Sequence, residues 1–321
     1  MLSQLSLPLL AALMALGLVL DLMLGETRRW HPLVGFGRLA NWLEARLNLH
    51  PESAQAGAKD LLRGLLAWAL AVLPLTLATA WLLAQLPWTL ALLLHALLLY
   101  FCIGLRSLRD HCLPIARALL AGDLARARTL TSYIVSRDTE NAEPSDLAKA
   151  GVESMLENGN DAVFGTLFWF LMAGGPGALL FRLSNTLDAM WGYRTPRFLL
   201  FGRPAARIDD VLNWVPARLT AFSYALLGNW RLARQCWRTQ APAWSSPNAG
   251  PVMSAGAGAL ELQLGGAAIY DGEVEHRPPL GSGAEATARD IVRAWKLVAK
   301  TAALWLTAVV LIATILELLH A

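Results

Sequence analysis

The sequence predicts an all-α fold: a polytopic helical membrane protein with cytoplasmic helical loops and re-entrant or interfacial segments. Three observations carry that expectation. Hydrophobic residues make up 55% of the 321-residue chain and charged residues only 16%. The mean hydropathy is +0.43. Several stretches also match the roughly 20 apolar residues that a helix needs to cross a hydrocarbon core about 30 Å thick. Residues 1–321 read as a single integral membrane domain, with no internal repeat, low-complexity segment or linker to divide it.

Four stretches fit the span length directly: 7–24, 65–86 with Pro74 as a kink, 88–105 and 301–319. The first has no Lys or Arg before it and no small-residue cleavage site after it, so it reads as a retained span rather than a secretory signal. Only Gln85-Leu86-Pro87 separates the second from the third, which predicts a helical hairpin. Two further stretches, 162–183 and 210–227, are apolar but interrupted, and are expected to be re-entrant or interfacial. Gly174-Gly175-Pro176-Gly177 breaks the former in its middle, so it can enter and turn back where protein covers its freed backbone groups.

Short loops rich in arginine and lysine stay cytoplasmic. Gly25 to Gly64 holds Arg28, Arg29, Arg38, Arg46, Lys59 and Arg63, and Arg194, Arg197, Arg203 and Arg207 crowd the loop 184–209. The expected topology places 25–64, 106–161, 184–209 and 228–300 in the cytoplasm and both termini outside.

Other classes are excluded by what is missing. The net charge of +3 is small and the arginines are dispersed, which argues against a nucleic-acid partner. Cys102, Cys112 and Cys236 are odd in number and lack CxxC spacing, so neither a disulfide framework nor a zinc site is suggested. The six histidines form no HExxH pair, and without GxxxxGK[ST] any nucleotide site is not a P-loop.

Polar residues inside so apolar a chain therefore stand out. "ARIDDVLNWVPARLTA", residues 206–221, carries Arg207, Asp209, Asp210, Asn213 and Arg218. A charge at the bilayer centre costs about 2.5 to 3.5 kcal/mol even on insertion scales, so these groups line a site or an interface rather than face lipid. "VSRDT" adds Arg137 and Asp138. "ESMLENGND" sets Glu153 and Glu157 four residues apart on one helical face, with Asn160 and Asp161 a turn further on. Like charges at that spacing repel and call for a cation, a basic partner or solvent; hard oxygen ligands of this kind suit Mg²⁺. "NTLDAMWGYR" supplies Asn185, Asp188 and Tyr193. "SSPNAGPVMSAGAGAL" places Ser246 and Asn248 in a turn that opens a helix, whose first N–H groups can meet a phosphate. Taken singly, a solvated face or ordinary turn chemistry accounts for several of these; together they point to one function.

In these stretches the sequence resembles the adenosylcobinamide-phosphate synthase family of cobalamin biosynthesis. "LDLMLGETRRWHPLVGFGRL" near the amino terminus, with His31 and Arg38, is similar to that family's opening, and 185–221 is the most specific part. Ala162, Thr166, Trp244 and Ser245 depart from the pattern. The resemblance covers nearly the whole chain and implies a multi-pass enzyme of the bacterial inner membrane with its active site facing the cytoplasm. It would join adenosylcobyric acid, the corrinoid substrate, to an amino alcohol phosphate such as (R)-1-aminopropan-2-ol O-phosphate, using ATP and Mg²⁺. The partners so implied are these substrates and the lipid bilayer, a complex with other cobalamin-assembly enzymes is compatible with it, and the oligomeric state stays open.

On that reading Asp188, Asp209, Asp210, Arg137 and Arg218 are the candidate catalytic residues, with Asp188 as base for the ammonium group. Arg137, Asn185, Tyr193, Arg207, Asn213, Arg218, Ser246 and Asn248 are candidates for substrate and phosphate binding. Glu153, Glu157, Asp161 and Asp210 are candidate metal ligands. Within the adjacent pair, Asp210 is expected to share a face with Asn213 and hold metal, while Asp209 pairs with Arg207 or Arg218. The alternative is a non-catalytic membrane sensor or signalling homologue. A transporter would place its ionisable groups in paired repeats, and none is visible.

Overall fold

The computed structural model describes residues 5–27, 31–49, 57–270 and 272–320. Arg28 and Arg29 of the basic amino-terminal loop lie outside the described residues. The chain is a polytopic helical membrane protein with a small three-stranded sheet, and five of its helical stretches are long and apolar enough to cross a membrane. It divides into two compact units.

The first unit gathers residues 1–104, 165–213 and 312–321. Helix α1 (Leu7–Leu24) packs on α4 (Trp88–Cys102), where Gly17 leaves room for the Leu99 side chain. The Tyr100 hydroxyl donates to the Gly25 carbonyl beyond the end of α1, satisfying an acceptor that has no helical partner. Helix α2 (Pro32–Leu47) starts at His31, whose Nδ1 accepts from the Leu33 N–H. Helix α3 (Ala58–Gln85) is followed after Leu86 and Pro87 by α4, so the break between the two helices falls at the expected 85–87. Phe36 and Leu43 of α2 and Trp68 and Val72 of α3 are buried in one cluster with Leu187 and Trp191 of α8 (Gly165–Trp191).

Helix α8 breaks in its middle, at the expected Gly-Gly-Pro-Gly, and its two halves fold back on each other, Gly177 lying against the Trp169 carbonyl and Gly165 against the Phe181 ring. Ala173 and Gly174 leave helical geometry, Gly174 at a φ of 65°. His95 on α4 then accepts a 2.8 Å hydrogen bond from the Gly175 N–H, capping the second half of α8 from a neighbouring helix. Helix α9 (Arg203–Leu227) contributes its first turns to this unit, and Trp169 of α8 donates to the Leu212 carbonyl.

The second unit holds residues 105–164 and 214–311. Helices α5 (Leu105–Leu120), α6 (Leu124–Ser132) and α7 (Pro144–Gly159) share a small core of Ala118, Ala127 and Leu147. A π-helical turn, Asn160–Phe164, follows α7. Helix α10 (Trp230–Gln240) packs on α11 (Ala249–Leu260), a helix of small residues that is buried along its length. Strands β1 (Leu262–Tyr270) and β2 (Glu273–Gly281) pair antiparallel, with an irregularity between Gly265 and Gly266, and β3 (Ala284–Glu285) adds a short parallel edge. Helix α12 (Ala288–His320) begins well before the stretch 301–319 picked out by hydropathy.

The turn between α8 and α9 depends on close backbone approach. A Cβ on Gly202 would sit 1.7 Å from the Trp191 carbonyl oxygen, whereas one on Gly35 in α2 would meet nothing within 4 Å. Gly202→Ala should therefore lower thermal stability in detergent by at least ~1–3 kcal/mol, the usual cost of overpacking. Gly35→Ala should be neutral or raise stability by about 0.4–1 kcal/mol. Equal melting temperatures for the two variants would contradict this account of the turn.

Candidate active site

In the first unit the predicted residues of α8 and α9 form a carboxylate–carboxamide cluster. Asn213 donates to Asp209 Oδ2 at 3.2 Å and Asn185 donates to Asp209 Oδ1 at 3.4 Å. Asp209 and Asp210 both act on Asp188 by like-charge repulsion, so three carboxylates share one electrostatic environment. Arg207 lies 3.7 Å from Asp210 with its side chain 69% exposed. Burial pushes the Asp210 carboxyl up from its ordinary range, against the pull of Arg207 and Arg194. The expected partners are thus exchanged: Asn213 belongs to Asp209, and an arginine contact falls to Asp210. The i,i+4 spacing of 209 and 213 aligns those side chains better than the i,i+3 spacing of 210 and 213. Tyr193 is exposed just after α8.

The segment carrying Tyr193 is anchored by residues that the sequence reading did not select. Arg197 forms a two-pronged ion pair with Glu44 of α2, at 3.1 Å from Nε and 2.7 Å from Nη2. Asn48 donates 3.0 Å bonds to both Glu44 and the Arg197 carbonyl. Burial alone would raise the Glu44 carboxyl, but the bonds from Arg197 and Asn48 outweigh it and hold it below its ordinary value.

In the second unit Glu153 of α7 is 3% exposed and fully engaged. It accepts from Arg277 of β2 at 2.9 and 3.2 Å, from the Gly265 N–H at 2.8 Å, and from Arg137. Asp138 ties the same loop to the hairpin, its N–H donating to the Ile269 carbonyl and its carboxylate accepting from the Gly272 N–H, both at 2.8 Å. The cation that Glu153 calls for is thus a pair of guanidinium groups. Glu157 is half-buried a turn later. Asp161 accepts from Asn160 at 2.9 Å within the π-turn, and Thr220 donates to Asn160 at 3.0 Å.

Arg218 spreads its guanidinium over neutral acceptors: Asn248 Oδ1 at 2.8 Å and the carbonyls of Trp214 and Pro247 at 3.0 Å. It also lies over the Trp214 ring at 4.5 Å. Ser246 Oγ accepts from the N–H groups of Asn248 and Ala249, at 3.3 and 3.1 Å, and so opens α11 as the turn chemistry predicts. Among the described residues Arg218 forms no ion pair with a carboxylate, and such an arginine beside a helix N-terminus suits an anion. Among the described residues, no group of three or more His, Cys, Asp or Glu side chains could by itself hold a metal ion.

The family profile described as "CobD/Cbib protein" matches residues 14–298. The chain belongs to that family. Its relatives include the cobalamin biosynthesis protein CobD of Stutzerimonas stutzeri (strain A1501), 57% identical over 289 residues, covering 90% of this chain and 93% of the relative. The protein of the same description from Chromobacterium violaceum is 51% identical over 311 residues, 97% of this chain and 99% of its own. That from Rhodobacter capsulatus is 37% identical over 292 residues, covering 88% and 91%. No solved structure matches the chain.

Two consequences are measurable. Arg137 and Arg277 have side chains only 11% and 10% exposed, so Glu153→Gln leaves two guanidinium groups under-compensated; it should destabilise the detergent-solubilised protein by roughly 3–5 kcal/mol. Unchanged melting would remove Glu153 from its structural role. For Glu44, a folded-state affinity for protons below the unfolded one means its contribution exists above the unfolded pKa near 4.3 and disappears as pH falls through the lower folded value. Glu44→Gln should cost about 1–3 kcal/mol at pH 7, and parent and variant melting curves should converge below about pH 4.

Proposed function

We propose that this protein is an ATP-dependent acid–amine ligase of cobalamin biosynthesis that joins adenosylcobyric acid to (R)-1-aminopropan-2-ol O-phosphate or a related amino alcohol phosphate. The observation that carries the reading is its close relation, along nearly the full chain, to proteins described as cobalamin biosynthesis protein CobD. A carboxylate does not condense with an amine in water. The γ-phosphoryl group of ATP would therefore pass to the propionate oxygen, releasing ADP; the amine nitrogen then attacks the acyl carbon, and phosphate leaves with that oxygen.

The side chains fit such a task. Arg218, with neutral partners and the start of α11 beside it, is suited to a phosphate group of either substrate, and Asn248 holds its guanidinium in place. Arg207, largely exposed at the other predicted site, can meet a second phosphate. Mg²⁺ keeps several waters and is bound through one or two carboxylates together with substrate phosphates, so it needs no closed set of side chains. Because the oxygens of Glu153 are occupied by arginines and an amide, the metal role falls to Asp210 in the first unit or to Glu157 and Asp161 in the second. When bound, Mg²⁺ would neutralise triphosphate charge. Asp188 would accept the proton of the ammonium group, and Asp209, fixed by two carboxamides, would position the cluster. The arginine-rich loops support a cytoplasmic position for this chemistry at the inner membrane.

Purified protein in detergent, given adenosylcobyric acid, ATP, Mg²⁺ and the amino alcohol phosphate, should form one amide per ATP hydrolysed. Asp210→Asn should remain folded while its apparent Mg²⁺ affinity falls by roughly 10- to 100-fold, a range known even for outer-shell partners of metals. Amide formation without ATP would refute the acyl-phosphate route, and an unaltered Mg²⁺ dependence would remove Asp210 from the metal.

A further inference from the structure

The second half of α9 carries an exposed apolar stripe. Val215, Leu219, Phe222 and Leu226 recur at helical spacing and are between 41% and 54% exposed, while Ala217, Ala221, Tyr224 and Ala225 face the interior of the unit. In a membrane protein such a stripe faces acyl chains. It ends at Trp230, 41% exposed, whose ring meets Phe222 edge-on at 5.5 Å. A tryptophan there marks the boundary between hydrocarbon and headgroups.

Helix α10 starts at that boundary and turns a different face outward. Arg231, Arg234 and Arg238, at i, i+3 and i+7, are exposed together, while Ala233 and Cys236 are buried on the other side. None of the three forms an ion pair with a described residue. Arg231 also sits in the first turn, after the Asn229 cap, where the helix end is already positive. Like charges grouped on one face of a helix repel one another unless an anion lies between them. With Trp230, Gln235 and Thr239 they line a concavity of about 340 Å³.

We propose that this face of α10 is a binding site for anionic phospholipid headgroups, with Arg231, Arg234 and Arg238 on the phosphates and Trp230 at the level of the ester groups. The occupant follows from position and charge. The site adjoins the lipid-facing stripe of α9, and a membrane containing phosphatidylglycerol presents a dense layer of phosphates at that level. Long arginine stems can reach this layer from the edge of the apolar face. The inference concerns the bilayer alone and does not depend on the proposed reaction.

The test uses the full chain in an uncharged detergent, titrated with phosphatidylglycerol, phosphatidylcholine or inorganic phosphate and followed by melting temperature. Phosphatidylglycerol should raise it, more weakly at high salt. The R231Q/R234Q/R238Q variant should need on the order of 100-fold more phosphatidylglycerol for the same rise, and R234Q alone roughly fivefold more. If the triple variant fails to fold, the single variant decides. An equal rise with phosphatidylcholine would reduce the face to general lipid contact, and a rise with inorganic phosphate alone would make it a soluble-anion site. Either result, or variants that respond like the parent, overturns the proposal.

Discussion

A carboxylate buried in an apolar protein has to be held from several directions at once, and Glu153 is where this constraint acts most strongly. Its oxygens receive two guanidinium groups and a backbone amide, drawn from the loop after α6, from β2 and from β1. Those donors lie up to 124 residues away in sequence. Removing the carboxylate would leave two like charges facing each other. The hairpin, the loop that carries Arg137 and Asp138, and α7 therefore form an interlocked set around one ionised group. Gly265 takes part through its backbone alone: at a φ of 72° its N–H turns toward the carboxylate, and a Cβ there would lie 2.3 Å from the Pro278 carbonyl oxygen.

The same rule governs the broken helix of the first unit. The break at Ala173 and Gly174 frees an amide where water is scarce, and His95 of α4 supplies its acceptor. A helix can thus break and turn back within a Gly-Gly-Pro-Gly sequence when a neighbour supplies the missing acceptor. The Glu44–Arg197 pair does comparable work further along, fixing the segment just before α9 on the side of α2.

Local sequence revealed the parts of this molecule that depend on local rules. The 85–87 turn was visible because two apolar helices meet at a proline, and Ser246 could be read as opening a helix because turn chemistry is short-ranged. The true starts of α3 and α12 were hidden. Their first turns carry Lys59, Asp60 and Arg63, and Arg289, Asp290 and Arg293, so a measure tuned to apolar runs begins too late. The hairpin carried a usable signal, the Asp-Gly dipeptide at 271–272, but the small residues 265–268 gave no β-branched run to go with it. The i,i+4 glutamates showed that Glu153 needed a cation, and nothing in that spacing could show that the cation was Arg277. The Asp209 and Asp210 partners differed from expectation by one residue of helical phase.

How an arginine is partnered also separates one that frames the fold from one whose charge stays available. Arg137 and Arg277 are buried against one shared carboxylate that occupies their donors, and a phosphate arriving there would have to displace Glu153. Arg218 is bound just as firmly, by an amide oxygen, two carbonyls and a tryptophan face, yet all of these are neutral. Its geometry is fixed while its charge stays available, and the first N–H groups of α11 add to the same positive field. A preorganised, uncompensated cation is the arrangement that stabilises an incoming or developing negative charge without reorganisation. Of the arginines singled out by sequence, Arg218 is accordingly the one best prepared to hold a phosphate, whereas Arg137 is better understood as part of the frame.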